Sequence, residues 1–155
     1  MELTDILAER AVLFCMDITS KRQLFQHLAV RAAELTGHPQ VEIFEAIDGR
    51  EALGSTGLGN GIAIPHGKLA GLKGVTALFA RLDQPIEFDS LDDQPVDLVV
   101  MLLAPTGAGA DHLKALSCVA RLLRTEQVVD ALRQTDDPAR MHAILTGPVA
   151  ATYAA

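Results

Sequence analysis

Residues 95–124 read "PVDLVVMLLAPTGAGADHLKALSCVARLLR", and the fold is decided here. Leu98 to Ala104 form an unbroken apolar run inside a segment, 95–105, that opens and closes on proline. Such a run reads as a strand apolar on both faces, which must be covered on both. It is far too short to cross a bilayer, which takes about 20 apolar residues. The small-residue loop "TGAGAD" then delivers the chain into an amphipathic helix, "HLKALSCVARLLR". A doubly covered strand handed straight to an amphipathic helix is a building unit of an α/β domain.

Outward from this unit the pattern repeats. "VTALFARL" (75–82) reads as a strand, and "PIEFDS" (85–90) as an extended edge piece, since Pro85 has no N–H for a ladder. Upstream, a short helix over 4–9 with Thr4 as cap leads to a first strand, "AVLFCM" (11–16). A helix follows over 19–37, capped by Thr19 or Ser20 and stopped at Gly37, with Leu24, Leu28, Ala32 and Leu35 on one face. Pro39 suits the first turn of a second helix, whose Val41, Phe44, Ile47 and Leu53 are expected to face the core. Downstream, one helix starts at Thr125 and another at Asp136 or Asp137, with Pro138 in its first turn. The expectation is one α/β domain over 1–155, a central mixed sheet flanked by helices on both faces. Its core spans about 3–146, and the tail 147–155 is expected to fray.

The composition narrows the function. A 155-residue chain, 49% hydrophobic and 21% charged, fits one domain with a full core. Its net charge of −7 argues against a nucleic-acid binder and suits a basic protein partner. "MELTDILAER" is charged from its second residue and lacks an apolar signal core, so no membrane insertion and a cytoplasmic location are expected. Cys15 and Cys118 have neither CxxC nor zinc spacing and read as reduced core thiols.

Between the second helix and the strand at 75–82 lies "LGSTGLGNGIAIPHGKL" (53–69). "IAI" is short enough for a buried strand, which would put His66 at a strand's C-terminal end, where α/β sheets gather ligands. Nucleotide binding fails on spacing. A Walker A loop needs four residues before Gly-Lys and then Ser or Thr, but five lie between Gly61 and Gly67-Lys68, and Leu69 follows. In the dinucleotide fingerprint started at Gly57, Ile62 occupies the last glycine position. His66 and His112 without a third ligand make an incomplete metal set, so neither metal nor cofactor is expected.

A nucleophilic histidine fits better. Phosphoryl transfer asks for a neutral imidazole nitrogen fixed in direction, together with donors for the phosphoryl oxygens. Histidine, with an ordinary pKa of about 6.5, supplies the neutral form near pH 7. Pro65 stiffens the approach to His66. Backbone N–H groups of Gly59, Asn60, Gly61 and Gly67 are candidate phosphate donors. His112, at a helix start, can bring a ring N–H, and Arg50 is a candidate fork for phosphate or a partner carboxylate. The bland alternatives are a loop His66 bonded to a backbone carbonyl, a His112 that only caps its helix, and an Arg50 that only complements a helix dipole.

"GREALGSTGLGNGIAIPHGKL" (49–69) resembles the active-site signature of type-2 EIIA domains of the bacterial phosphoenolpyruvate-dependent phosphotransferase system. With "QPVDLVVMLLAP" and "DHLKALSCVARLL", the likeness covers residues 3–146 and is similar in wording to the nitrogen-regulatory branch. The resemblance implies the mannitol/nitrogen-type EIIA fold and a phosphohistidine on Nε2 of His66, charged by an HPr-type carrier. It implies that His112 is the phosphate-side neighbour and that Arg50 is the motif's arginine. Lys114 stands where some relatives have another polar residue or histidine. Regulated targets such as sensor kinases or potassium transporters are the partners it implies. The alternative is a free-standing EIIA of a fructose- or mannitol-type system that passes phosphate to an EIIB; with no EIIB, EIIC or HPr-like segment in the chain, regulation is expected.

The rim around His66 should be shallow and apolar, with Leu58, Ile62 or Leu69 contributing.

Overall fold

A computed structural model describes residues 1–147. The unit at 95–124 forms as expected: β6 (Val96–Pro105) is buried at all but two of its positions, and the helix after it, α3, covers Gly109–Leu123. Because alternate side chains of β6 point to opposite faces, burial of consecutive residues means that both faces are covered. On one face α1 (Lys21–Thr36) packs on α2 (Gln40–Ala52), and α2 lies on β4 (His66–Leu69). The other helical group consists of α3, α4 (Glu126–Arg133) and α5 (Pro138–Thr146), with α3 on β6 and α5 on β1 (Val12–Cys15).

The sheet is mixed. β1 runs parallel to β5 (Thr76–Ile86), and β5 runs antiparallel to β6. On the other side of β6 lie β3 (Ile62–Ala63) and then β4, both parallel to it, and β2 (Gly57–Gly59) pairs antiparallel with β3. One contiguous apolar core, from Leu3 to Leu145, fills both interfaces between the sheet and the helices. No helix among the described residues is long and apolar enough to cross a membrane.

Local chemistry accounts for the helix ends. Ser20 accepts from the Gln23 amide at the start of α1, and Gly37, at φ 78°, closes it. Asp137 accepts from the Ala139 amide at the start of α5.

Several expectations are corrected. Residues 4–9 are not one helix: 3₁₀ turns cover Leu3–Asp5 and Glu9–Ala11, and Asp5 accepts from the Glu2 amide. Pro39 precedes the first helical residue of α2 instead of occupying it. Val41 and Leu53 face solvent, because the buried stripe of α2 runs i, i+4, i+8 through Ile43, Ile47 and Glu51. The extended piece at 85–90 is no separate element: β5 continues to Ile86 across a register shift. Beyond it Phe88 is fully buried, edge-on to Phe25. Of the tail expected to fray, Gly147 closes α5, and 148–155 lie outside the described residues.

Candidate functional site

His66 does not end a strand. Ile62 and Ala63 pair with Leu98 and Val99, and His66 pairs with Leu102, so the β6 partners of both segments lie 36 positions later and the two share one register. The ladder is interrupted only at Ile64–Pro65. There Pro65 accepts from the Leu102 amide at 2.9 Å but has no N–H to return. His66 therefore sits midway along what is in effect a single strand from Ile62 to Leu69.

This placement orients the ring. Successive carbonyls of a strand point to opposite sides, so Ile64 turns its carbonyl away from β6. Its amide donates to Thr56 O at 3.0 Å, and its carbonyl accepts from His66 Nδ1 at 2.9 Å. A carbonyl can only accept, so Nδ1 carries the proton and the neutral ring has its lone pair on Nε2. The backbone-carbonyl bond of an ordinary loop histidine is thus present, and it leaves Nε2 as the nitrogen with a free lone pair.

α3 begins at Gly109, three residues earlier than the sequence suggested, so His112 lies one turn inside the helix instead of opening it. It is 6% exposed, and its ring meets that of His66 edge to face, with centroids 5.5 Å apart. His112 Nε2 is buried without a hydrogen-bond partner. Burial pushes the His112 pKa below its ordinary value, and the nearby charges of His66 and Lys68 add to the effect. The pair therefore combines an imidazole with a directed lone pair and a buried neighbour with an unused ring nitrogen.

His66 lines a small open depression, with the His112 ring buried beside it. Its lining, about 260 Å³ in volume, includes Arg50, Gly57, Leu58, Ile64, His66 and Leu116. Leu58 is on the rim as expected, but Ile62 and Leu69 are core residues, and Ile64 and Leu116 take their place. Arg50 donates from Nη1 to Gly54 O at 3.0 Å, which uses one of its five N–H groups. Gly67 is buried beneath α2, where an added Cβ would meet Ala46 backbone atoms at 3.1 and 3.2 Å. Lys114 is exposed.

The structure does not bring Gly59, Asn60 and Gly61 to His66. They form the tip of the β2–β3 hairpin, alongside the beginning of β6, whereas His66 pairs further along it. The Asn60 amide donates to Asp92, and Arg133 donates to Asn60 O at 2.8 Å and bidentately to Asp97. Asn60, Gly61, Asp97 and Arg133 line a separate hollow of about 420 Å³. The glycines there answer to backbone geometry: Gly59 and Gly61 have φ of 92° and 82°.

One residue of the site escapes the sequence reading. Glu51, 7% exposed at the end of α2, accepts from Thr56 N and Thr56 Oγ1, the latter at 2.5 Å. Lys21 Nζ lies 3.2 Å from the same carboxylate. Two signals were present: a carboxylate in a helix's last turn, against the dipole, and its place on the apolar i, i+4 stripe.

The family model described as "Phosphoenolpyruvate-dependent sugar phosphotransferase system, EIIA 2" matches residues 5–147. The chain belongs to this type-2 EIIA family. Within it, a nitrogen regulatory protein of Bradyrhizobium diazoefficiens is 51% identical over 97% of this chain and 98% of its own length. The nitrogen regulatory protein of Escherichia coli is 38% identical over 94% of this chain and 90% of its own. The solved nitrogen regulatory protein IIA-Ntr of Neisseria meningitidis superposes with a TM-score of 0.86 at 36% identity, covering 93% of this chain and 99% of that one. These full-length likenesses support a nitrogen-regulatory phosphocarrier of the phosphotransferase system over the sugar-specific alternative.

Proposed function

We propose that this chain is a cytoplasmic phosphocarrier that accepts a phosphoryl group on His66 Nε2 from the phosphohistidine of an HPr-type carrier. Its phosphorylation state then regulates target proteins, of which sensor kinases and potassium transporters are the candidates. The observation that carries the reading is the 2.9 Å bond from His66 Nδ1 to Ile64 O, which leaves Nε2 as the attacking atom in an open depression.

The step balances without an added base. The Nε2 lone pair forms the new N–P bond while the donor's N–P bond breaks, its electron pair returning to the donor imidazole. The Nδ1 proton stays in place. Positive charge that develops on the His66 ring during attack is met by the Ile64 carbonyl dipole, which was oriented before the reaction. His112, as its Nε2–H tautomer, gives its unused donor to a phosphoryl oxygen; Arg50 supplies a cation on the rim.

A shallow depression edged by Leu58 and Leu116 lets a partner's phosphohistidine come within bonding distance. Once loaded, the same face carries about two negative charges at its centre, which disfavours acidic or apolar partners.

The test is incubation with enzyme I, an HPr-type carrier and phosphoenolpyruvate, followed by intact-mass measurement. Wild type should gain one phosphoryl group that is stable in base and labile in acid; His66→Ala should stay folded and gain none. Normal labelling of folded His66→Ala overturns the assignment.

A further inference from the structure

We propose that Glu51 is a positioning residue for His66, acting through a chain of three hydrogen-bonded links to fix the tautomer and direction of the imidazole. The inference rests on the reading of His66 as the nucleophile and goes beyond it by naming what holds that nucleophile ready.

The links are continuous. The buried Glu51 carboxylate accepts from Thr56 twice, from the amide at 3.1 Å and from Oγ1 at 2.5 Å. Thr56 in turn offers its carbonyl to the Ile64 amide at 3.0 Å. Ile64 then offers its own carbonyl to His66 Nδ1 at 2.9 Å. Each link fixes a peptide plane, and each donor–acceptor direction in the chain polarises the next. The anchor at the far end is equally defined. Lys21 Nζ pairs with Glu51 Oε1 at 3.2 Å and stands 4.5 Å above the ring centroid of Phe88, which is itself in the core.

The need for such an anchor follows from the surroundings. β2 spans only three residues, and the chain between α2 and β2 is a turn rather than a ladder. Thr56 is the residue by which that turn reaches the His66 strand, through its carbonyl. Left without Glu51, the Thr56 amide and hydroxyl would be buried donors lacking partners, and the turn would rotate to satisfy them. The Ile64 peptide would follow, and the His66 ring would lose the single acceptor that keeps its proton on Nδ1. Outer residues that orient an imidazole through its second nitrogen typically matter 10–100-fold at metal sites, and the geometric logic is the same here.

The test reads the tautomer directly. Long-range ¹H–¹⁵N spectra of the histidine rings at pH 8 should show wild-type His66 as the Nδ1–H form. Glu51→Leu keeps the side-chain volume but removes every acceptor from the Thr56 amide and hydroxyl, and it should show His66 as a mixture of tautomers, with phosphorylation slowed at least ~10-fold. Thr56→Val, which removes only the hydroxyl link, should move in the same direction, and Thr56→Ser should restore the wild-type spectrum. A folded Glu51→Leu protein whose His66 keeps the wild-type tautomer overturns the proposal, even if its melting temperature falls. That result would leave Glu51 as a packing residue only. Should Glu51→Leu fail to fold, Thr56→Val is judged by the same criterion. If wild type is never phosphorylated, the phosphocarrier reading falls, while the ring spectra still decide the role of Glu51.

Discussion

Replacing Gly67 with alanine should test whether the spacing between α2 and β4 holds the site together. The added Cβ would lie 3.1 Å from Ala46 C, 3.2 Å from Ala46 Cβ and 3.2 Å from Ala46 O. Ordinary contacts of this kind begin near 3.4 Å, so α2 must retreat by a few tenths of an ångström or more. No backbone strain is added, because the φ of Gly67 is not in the left-handed region. Overpacking in such a contact costs about 1–3 kcal/mol. For a domain of this size that lowers Tm by about 2–12 °C, at about 2–4 °C per kcal/mol. Two of the three close contacts are to backbone, so trimming the helix in the double variant Ala46→Gly/Gly67→Ala should not restore stability. The functional cost should exceed the thermal one, because the same helix carries Arg50 and Glu51 in its last turn. Thermal denaturation followed by circular dichroism, with phosphorylation rates below the transition, measures both. A Gly67→Ala protein with unchanged Tm and rate, or full recovery on trimming Ala46, would refute this reasoning.

Two further outcomes follow from the geometry. Folding holds His112 below its ordinary pKa, so the unfolded chain binds its proton first as pH falls; stability should be intact above about pH 6.5, fall below it, and level off once pH passes the folded value. Denaturant titrations across this range should show a slope that His112→Gln removes, and an identical slope in the variant would disprove it. Because the hairpin tip is engaged by Arg133 and Asp92 and not by His66, Arg133→Ala should cost about 1 kcal/mol in stability while leaving the phosphorylation rate within about twofold. A hundredfold loss of rate in that variant would return Asn60 and Gly61 to the phosphate site.

What was legible in the sequence follows from the range of the forces involved. The strand at 95–105 and its helix were plain because apolar continuity and 3.6-residue periodicity are local signals. Ser20, Gly37 and Asp137 declared helix ends through capping chemistry contained within a turn. His66 stood out by its motif, and His112 by its place after a small-residue loop. The errors arose where tertiary pairing decides. Pro65 suggested a strand end, yet the register with β6 runs through it. The glycines at 59–61 suggested an anion cradle, but their backbone is committed to a hairpin tip whose partners, Asp92 and Arg133, are remote in sequence. α2 was rotated by about one residue in the reading, because which stripe is buried depends on the sheet beneath it. Glu51 was hidden for the same reason: a carboxylate in a helix is normally solvated, and only Thr56 and Lys21 make it an interior one.

The bond between His66 and Ile64 has a second consequence. Among the described residues β4 pairs only with β6, so its far side is a margin of the sheet where a stray extended chain could add itself. Ile64 presents its carbonyl on that margin, and the imidazole occupies it. The proposed nucleophile is therefore also a guard on the sheet's border, filling an acceptor that would otherwise invite an unwanted strand. Under the proposed function, a phosphoryl group on the opposite ring nitrogen would leave the guard in place.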